Sequence, residues 1–207
     1  MIEKWQVYEK CGFWFGWSCG RLESRTFDGR IYRWSCNAGE SVWKGIFPEI
    51  LPDYDRGTID QVNIVREMSV FSGRPYAECW DFVEFIKHSL RDIPQTQCLI
   101  KELAGKGYRL FCLSNMSLEF YDYLKEREVF RYFEGQIISA HEKLIKPEKE
   151  IYRILIDRFQ AYPEDTLFID DLKENVDAAR QLGFHTVHFA DKEKGYREIN
   201  KILCSEF

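Results

Sequence analysis

From Tyr108 to the C-terminus, short apolar runs alternate with amphipathic stretches, and this alternation limits the possible folds more than any other feature of the 207 residues. The runs Tyr108–Leu113, Gln136–Ile138, Thr166–Ile169 and Thr186–Phe189 read as strands. Helical patterns follow them: one from Leu118, then Pro147–Phe159, Glu174–Leu182 with Gly183 as its stop, and Tyr196–Leu203. Strands of continuous apolar character separated by helices imply a parallel sheet covered on both faces, an α/β core of Rossmann-like type. Upstream, a helical pattern spans Gln97–Ala104, and Thr58–Phe71 and Pro75–Leu90, broken at Ser72-Gly73-Arg74, predict a helical hairpin.

In such sheets the polar residues at the carboxyl ends of strands line the ligand crevice. Three strand ends carry chemistry. Leu113-Ser114-Asn115 presents a hydroxyl and then backbone amides before a helix, an arrangement that suits an anion; the alternative is a helix cap. Lys146-Pro147-Glu148 places a lysine at the mouth of a helix that Pro147 would begin, where it needs an anion or carboxylate beside it; the alternative is a solvated loop lysine. Lys143, three residues earlier, is easily confused with it. Leu167-Phe168-Ile169-Asp170-Asp171 ends in adjacent carboxylates that repel unless a cation or proton is shared, so a hard oxygen-seeking metal, Mg2+ above all, is the expected occupant, with a helix cap as the alternative.

Composition excludes other classes. Hydrophobic residues at 45% and charged residues at 30% describe a folded globular chain. A net charge of -5, with no basic tract, disfavours nucleic-acid binding. The absence of a long apolar run predicts neither a membrane span nor a signal peptide, hence a cytoplasmic protein. Seven cysteines without a C-x-x-C pair read as reduced thiols. His88, His141, His185 and His188 are scattered and read as packing residues, as does the cluster Phe120-Tyr121-Tyr123.

Ser114, Lys146-Pro147 and Asp170-Asp171, in this order and spacing, resemble motifs II, III and IV of the haloacid dehalogenase (HAD) superfamily. Ile151-Tyr152, Asn175, Ala178, Ala179 and Gly183 extend the likeness, and Asp55-Arg56-Gly57-Thr58-Ile59 looks like the start of the small helical cap of its sugar-phosphatase-like branch. The resemblance implies three regions: an irregular N-terminal segment (1–52), a helical cap (53–95) and a HAD-like α/β core (96–207). It further implies a Mg2+-dependent phosphatase of small phosphorylated metabolites, monomeric or homodimeric, working through an aspartyl-phosphate. Ser114 and the Asn115 amide would bind the substrate phosphate, Lys146 would offset its charge, and Asp170 and Asp171 would hold the metal. A cofactor-free 2-haloacid dehalogenase would share the fold.

The family's first motif, an apolar strand ending in a nucleophilic aspartate, is missing. Asp28 is the nearest candidate, and its flank Leu22-Glu23-Ser24-Arg25 is too polar for a central strand. Five of six tryptophans and six of thirteen glycines precede residue 50, with Leu22 the only leucine. Back-translating Gly12–Arg25 and reading one nucleotide downstream is compatible with Phe-Gly-Leu-Gly-Gly-Val-Val-Val-Asp-Trp-Asn-Pro, the family's opening with glycine at the nucleophile; a UGA codon at Trp14 would restore aspartate. The first fifty or so residues then read as a frame-shifted translation that rejoins the normal frame between Phe47 and Asp53, and a chain so altered is expected to be inactive. The alternative is a divergent N-terminus. In either case another segment must fill the central slot of the sheet, with the apolar Cys11–Trp17 tract as the candidate.

Overall fold

A computed structural model describes residues 5–8, 23–27, 30–34 and 49–204. In chain order the elements are β1 (Trp5–Tyr8), β2 (Glu23–Phe27), β3 (Arg30–Trp34), helix α1 at 49–56, α2 (Gln61–Ser72), α3 (Tyr76–Ser89) and α4 (Pro94–Gly105). The alternating part follows with β4 (Arg109–Ser114), α5 (Leu118–Leu124), β5 (Gly135–Ile138), α6 (Ser139–Glu142), α7 (Lys149–Phe159), β6 (Thr166–Asp170), α8 (Lys173–Gln181), β7 (His185–His188) and α9 (Lys192–Cys204).

The expected α/β core is present. Five parallel strands run in the order β5-β4-β1-β6-β7. Alternate residues of β4 and β6 face opposite layers of helices, as the two-residue period requires. Leu110 and Cys112 of β4, with Leu167 and Ile169 of β6, pack on one side with Leu99, Ile100 and Leu103 of α4 and Ile199 of α9. Phe111, Leu113 and Phe168 pack on the other with Ile151, Tyr152 and Leu155 of α7 and Ala179 of α8.

The N-terminal tract departs from the irregular segment expected of it. It supplies the middle strand of the sheet: Trp5–Tyr8 pairs with Arg109–Cys112 on one side and Thr166–Ile169 on the other. The central slot is therefore filled ahead of the Cys11–Trp17 tract, which lies outside the described residues, as does Asp28. Glu23–Phe27, too polar for the sheet centre, pairs antiparallel with Arg30–Trp34 in a separate two-stranded ribbon.

The helical hairpin has its own apolar cluster. Ile64, Val65 and Met68 of α2 meet Cys79, Phe82 and Val83 of α3 and Tyr54 of α1. Asp60 caps α2 by accepting from the Asn63 amide at 2.8 Å, and Gly73, at φ 66°, ends it in the left-handed conformation that favours glycine. Gly183, at φ +95°, likewise follows the end of α8. One boundary is corrected: α7 begins at Lys149, two residues after Pro147, and the Lys146–Pro147 peptide is cis. Lys146 therefore does not stand at a helix mouth. Among the described residues no helix is long and apolar enough to cross a membrane.

Candidate functional site

The carboxyl ends of β4 and β6 flank the end of β1, since Tyr8 aligns with both Cys112 and Ile169. Ser114 closes β4 and is fully buried, and among the described residues its hydroxyl has no hydrogen-bond partner. It does not cap the next helix, because Ser117 does that by accepting from the Phe120 amide at 3.4 Å. An apolar strand has thus delivered an unused hydroxyl to the rim, and a buried hydroxyl without a partner is costly unless a ligand uses it.

Lys146 reaches this rim from the loop before α7. Its side chain is buried, and Nζ donates to the Leu113 carbonyl at 2.7 Å and to Asp170 Oδ2 at 3.2 Å. The Asn115 side chain fixes the other end of the lysine: Oδ1 accepts from the Lys146 amide at 2.8 Å, and Nδ2 donates to its carbonyl at 3.0 Å. The expected phosphate role of Asn115 rested on its backbone amide; the side chain acts as a two-point clamp on Lys146.

Asp170 ends β6 with 1% of its surface exposed. Oδ1 accepts from the Leu172 amide at 2.7 Å, and the Asn175 Nδ2 spans both oxygens at 3.2 and 3.0 Å. Behind Asn175, the Tyr152 hydroxyl donates to the Asn175 carbonyl at 3.0 Å, while the buried Asn175 Oδ1 has no partner among the described residues. Neither acid caps α8, which Leu172 precedes. Asp171 lies partly exposed beside its buried neighbour, and His188 Nε2 sits 3.0 Å from its carbonyl.

Burial controls the charges. It pushes the Asp170 carboxyl from its ordinary 3.8 up to about 7, against the lowering effect of the Leu172 and Asn175 hydrogen bonds, and the nearby Asp171 and Glu174 add to the rise. Burial also depresses the Lys146 ammonium well below its ordinary range, and the negative charge of Asp171 partly restores it. A carboxyl that holds its proton more tightly in the folded than in the unfolded chain stabilises the fold at low pH, and this contribution is lost as pH rises toward about 7. In chelator, the stability difference between wild type and Asp170→Asn will fall from pH 4 to 7, by at most about 1.4 kcal/mol per unit. Urea unfolding across that range measures it; a difference that is flat or rises with pH contradicts the assignment.

Ser114, Lys146 and Asp170 thus meet at one rim. The sequence marks Asn115 and Asn175 through the family resemblance, but not the work of their side chains, which fix the lysine and the acid. The histidines have local partners, His185 Nε2 at 2.9 Å from the Glu164 carbonyl and His141 edge-on to Tyr121. Among the described residues no cluster of three or more His, Cys, Asp or Glu side chains is placed to hold a metal. The donor set is two adjacent carboxylates, one already oriented by hydrogen bonds and one partly exposed. That set fits hydrated magnesium, which keeps several waters and takes one or two protein carboxylates together with substrate oxygens.

A parallel sheet in this order, with hydroxyl, ammonium and acid pair at its carboxyl edge, defines a hydrolase-type α/β core. The chain belongs to the haloacid dehalogenase-like hydrolase family, whose model matches residues 36–183. It is 25% identical over 156 residues to the sesquiterpene phosphatase astK of Aspergillus oryzae, covering 75% of this chain and 80% of that one. It is 32% identical over 80 residues to the bifunctional epoxide hydrolase 2 of Rattus norvegicus, 39% of this chain and 14% of that one. Among solved structures, a predicted HAD-like hydrolase from Porphyromonas gingivalis superposes with a TM-score of 0.67 at 21% identity over 98% of both chains. A HAD family enzyme from Bacteroides thetaiotaomicron, solved with magnesium and inorganic phosphate, gives 0.59 at 20% identity over 89% of this chain and 93% of that one.

Proposed function

We propose that this fold is that of a Mg2+-dependent phosphatase of small phosphorylated metabolites, and that the chain as written carries the phosphate-binding half of the machinery without the nucleophile. The observation that carries this reading is the buried Lys146–Asp170 pair beside the unpartnered Ser114 hydroxyl. Together they offer a cation and a free donor to a tetrahedral oxyanion at a water-poor rim. In this reading Ser114 donates to one phosphoryl oxygen. Lys146 offsets charge that grows in the transition state, and Asp170 keeps the ammonium charged and aimed. Magnesium, held by Asp171 with Asp170, would neutralise phosphoryl oxygens. The names of relatives support the class: sesquiterpene phosphatase, and the phosphorylated carbohydrates phosphatase of Thermotoga maritima, 24% identical over 48% of this chain. The helical hairpin, in the place of a cap over that rim, would choose the leaving group.

The family's nucleophile is an aspartate ending the first strand, and the described strand Trp5-Gln6-Val7-Tyr8 contains none. Carrying the shifted reading upstream, Tyr8-Glu9-Lys10-Cys11-Gly12 permits Met-Lys-Asn-Val-Val directly ahead of the Phe-Gly-Leu-Gly-Gly text. The Val-Val-Phe end of that text suits the middle of a parallel sheet better than a strand containing Gln6. With Mg2+ present, the chain as written is expected to bind inorganic phosphate in calorimetry, lost in Asp170→Asn. It is expected to release no phosphate from a panel of sugar and prenyl phosphates, and no halide from 2-chloropropionate. Absence of phosphate binding contradicts the phosphatase reading, and halide release would replace it with the dehalogenase.

A further inference from the structure

The end of α1 is seated on the segment that carries Lys146. Arg56 grips Glu148 with both arms, Nη1 to Oε2 at 2.9 Å and Nη2 to Oε1 at 2.7 Å, and Nη1 also donates to the Lys143 carbonyl at 3.3 Å. Glu148 in turn accepts from the Ile145 amide at 3.1 Å, closing the turn on which Lys146 sits. Two more bonds run in parallel: Lys143 Nζ donates to the Gly57 carbonyl at 2.5 Å, and Ser139 Oγ donates to the Asp55 carbonyl at 2.5 Å. Gly57 has φ +70°, and a Cβ there would lie 2.9 Å from both the Ala140 Cβ and its carbonyl oxygen, so backbone meets backbone with no room for a side chain. Residues 55–57 thus contact 139, 140, 143 and 148 in succession, and the shared hydrogen bonds raise the pKa of Arg56 and lower that of Glu148.

We propose that Arg56 is a positioning residue for Lys146: through Glu148 it fixes the 143–148 turn, so that docking of the helical hairpin and placement of the ammonium form one linked equilibrium. The part played by Lys146 in phosphate binding rests on the function proposed above; the linkage itself rests on the Arg56–Glu148–Ile145 geometry. An arginine is required because only a planar fork satisfies both carboxylate oxygens while reaching a carbonyl. The side chains are about a quarter to a third exposed, at 26% and 34%, so the pair acts through geometry more than through raw Coulomb attraction.

Hydrogen exchange and phosphate calorimetry with Mg2+ on Arg56→Ala, Arg56→Lys and Glu148→Gln test this. Arg56→Ala is expected to speed amide exchange in 49–58 and in 143–149 together, by about tenfold, and to weaken phosphate binding by a similar factor. Arg56→Lys should recover less than half of either effect, and Arg180→Ala, which removes an exposed pair with Asp177 at 3.0 Å, should change neither. Faster exchange in 49–58 alone with phosphate affinity unchanged, or full recovery by lysine, overturns the proposal. If wild type binds no phosphate, the functional reading fails while the paired exchange rates still decide the linkage.

Discussion

Read one nucleotide downstream from the Tyr8 and Glu9 codons and rejoined between Phe47 and Asp53, with aspartate where the Trp14 and Phe15 codons overlap, the protein is expected to hydrolyse phosphomonoesters with Mg2+ at least about 10³-fold faster than the chain as written. The size of the effect follows from covalent catalysis: in the proposed function the binding groups would hold the phosphoryl group, and a carboxylate at the end of the central strand would supply the attack. Two observations motivate the expectation. Trp14 and Phe15 in overlap force glycine unless Trp14 is read from UGA, so the shifted text differs from the family opening at the one position that matters. The described middle strand, Trp5–Tyr8, ends between Cys112 and Ile169 beside the rim that holds Ser114 and Asp170. Sequencing the locus comes first: stop codons in the shifted frame, or no Gly-Gly after the Phe codon, end the idea. Turnover of sugar phosphates by the reframed protein, read by malachite green, is the second measurement, and a reframed protein no faster than the original contradicts it.

Lys146→Met will be the most damaging single substitution at the rim. The methionine fills the space of the lysine stem but removes the ammonium that donates to both Asp170 Oδ2 and the Leu113 carbonyl, leaving a carboxylate with 1% exposure without that cation.

 Breaking a buried pair by removing one partner costs about 3–5 kcal/mol when the remaining charge stays charged. Because burial already pushes the Asp170 carboxyl up to about 7, losing the ammonium will lead it to take up a proton, and the loss at neutral pH should fall at the lower end of that range. Phosphate affinity should fall by at least about 10²-fold, since a charge-assisted contact at a buried rim is lost together with the charge balance of Asp170. The double variant Lys146→Met with Asp170→Asn, which removes both charges, should regain much of the stability and none of the phosphate binding. Urea unfolding and calorimetry separate the two effects; a single variant that unfolds like wild type contradicts the paired-charge reading.

The core was legible because its strands carry unbroken apolar runs and its helices a clear stripe; Leu110, Phe111, Cys112 and Leu113 dictate a two-faced buried strand whatever surrounds them. The rim was legible for the same reason, since a polar residue directly after such a run has nowhere to go but the edge of the sheet. What stayed hidden depended on tertiary partners. Nothing local says that Asn115 will clamp the Lys146 peptide 31 residues away, or that Arg56 will fork onto Glu148 92 residues away. Pro147 suits a first helical turn locally, but α7 begins at Lys149 and Lys146 reaches inward to Asp170, a partner that only the fold supplies. The middle strand was missed because four residues, Trp5-Gln6-Val7-Tyr8, are too short to show a period, and only their pairing on both edges identifies them.

The place of that strand sets the order of assembly during synthesis. Trp5 aligns with Arg109 on one flank and with Thr166 on the other, so this strand, made before both, must wait until Thr166 has been synthesised before its second neighbour exists. Until then its amides and carbonyls stand half unmatched, and the growing chain carries an open edge that a holding chaperone, or another nascent copy, is free to engage.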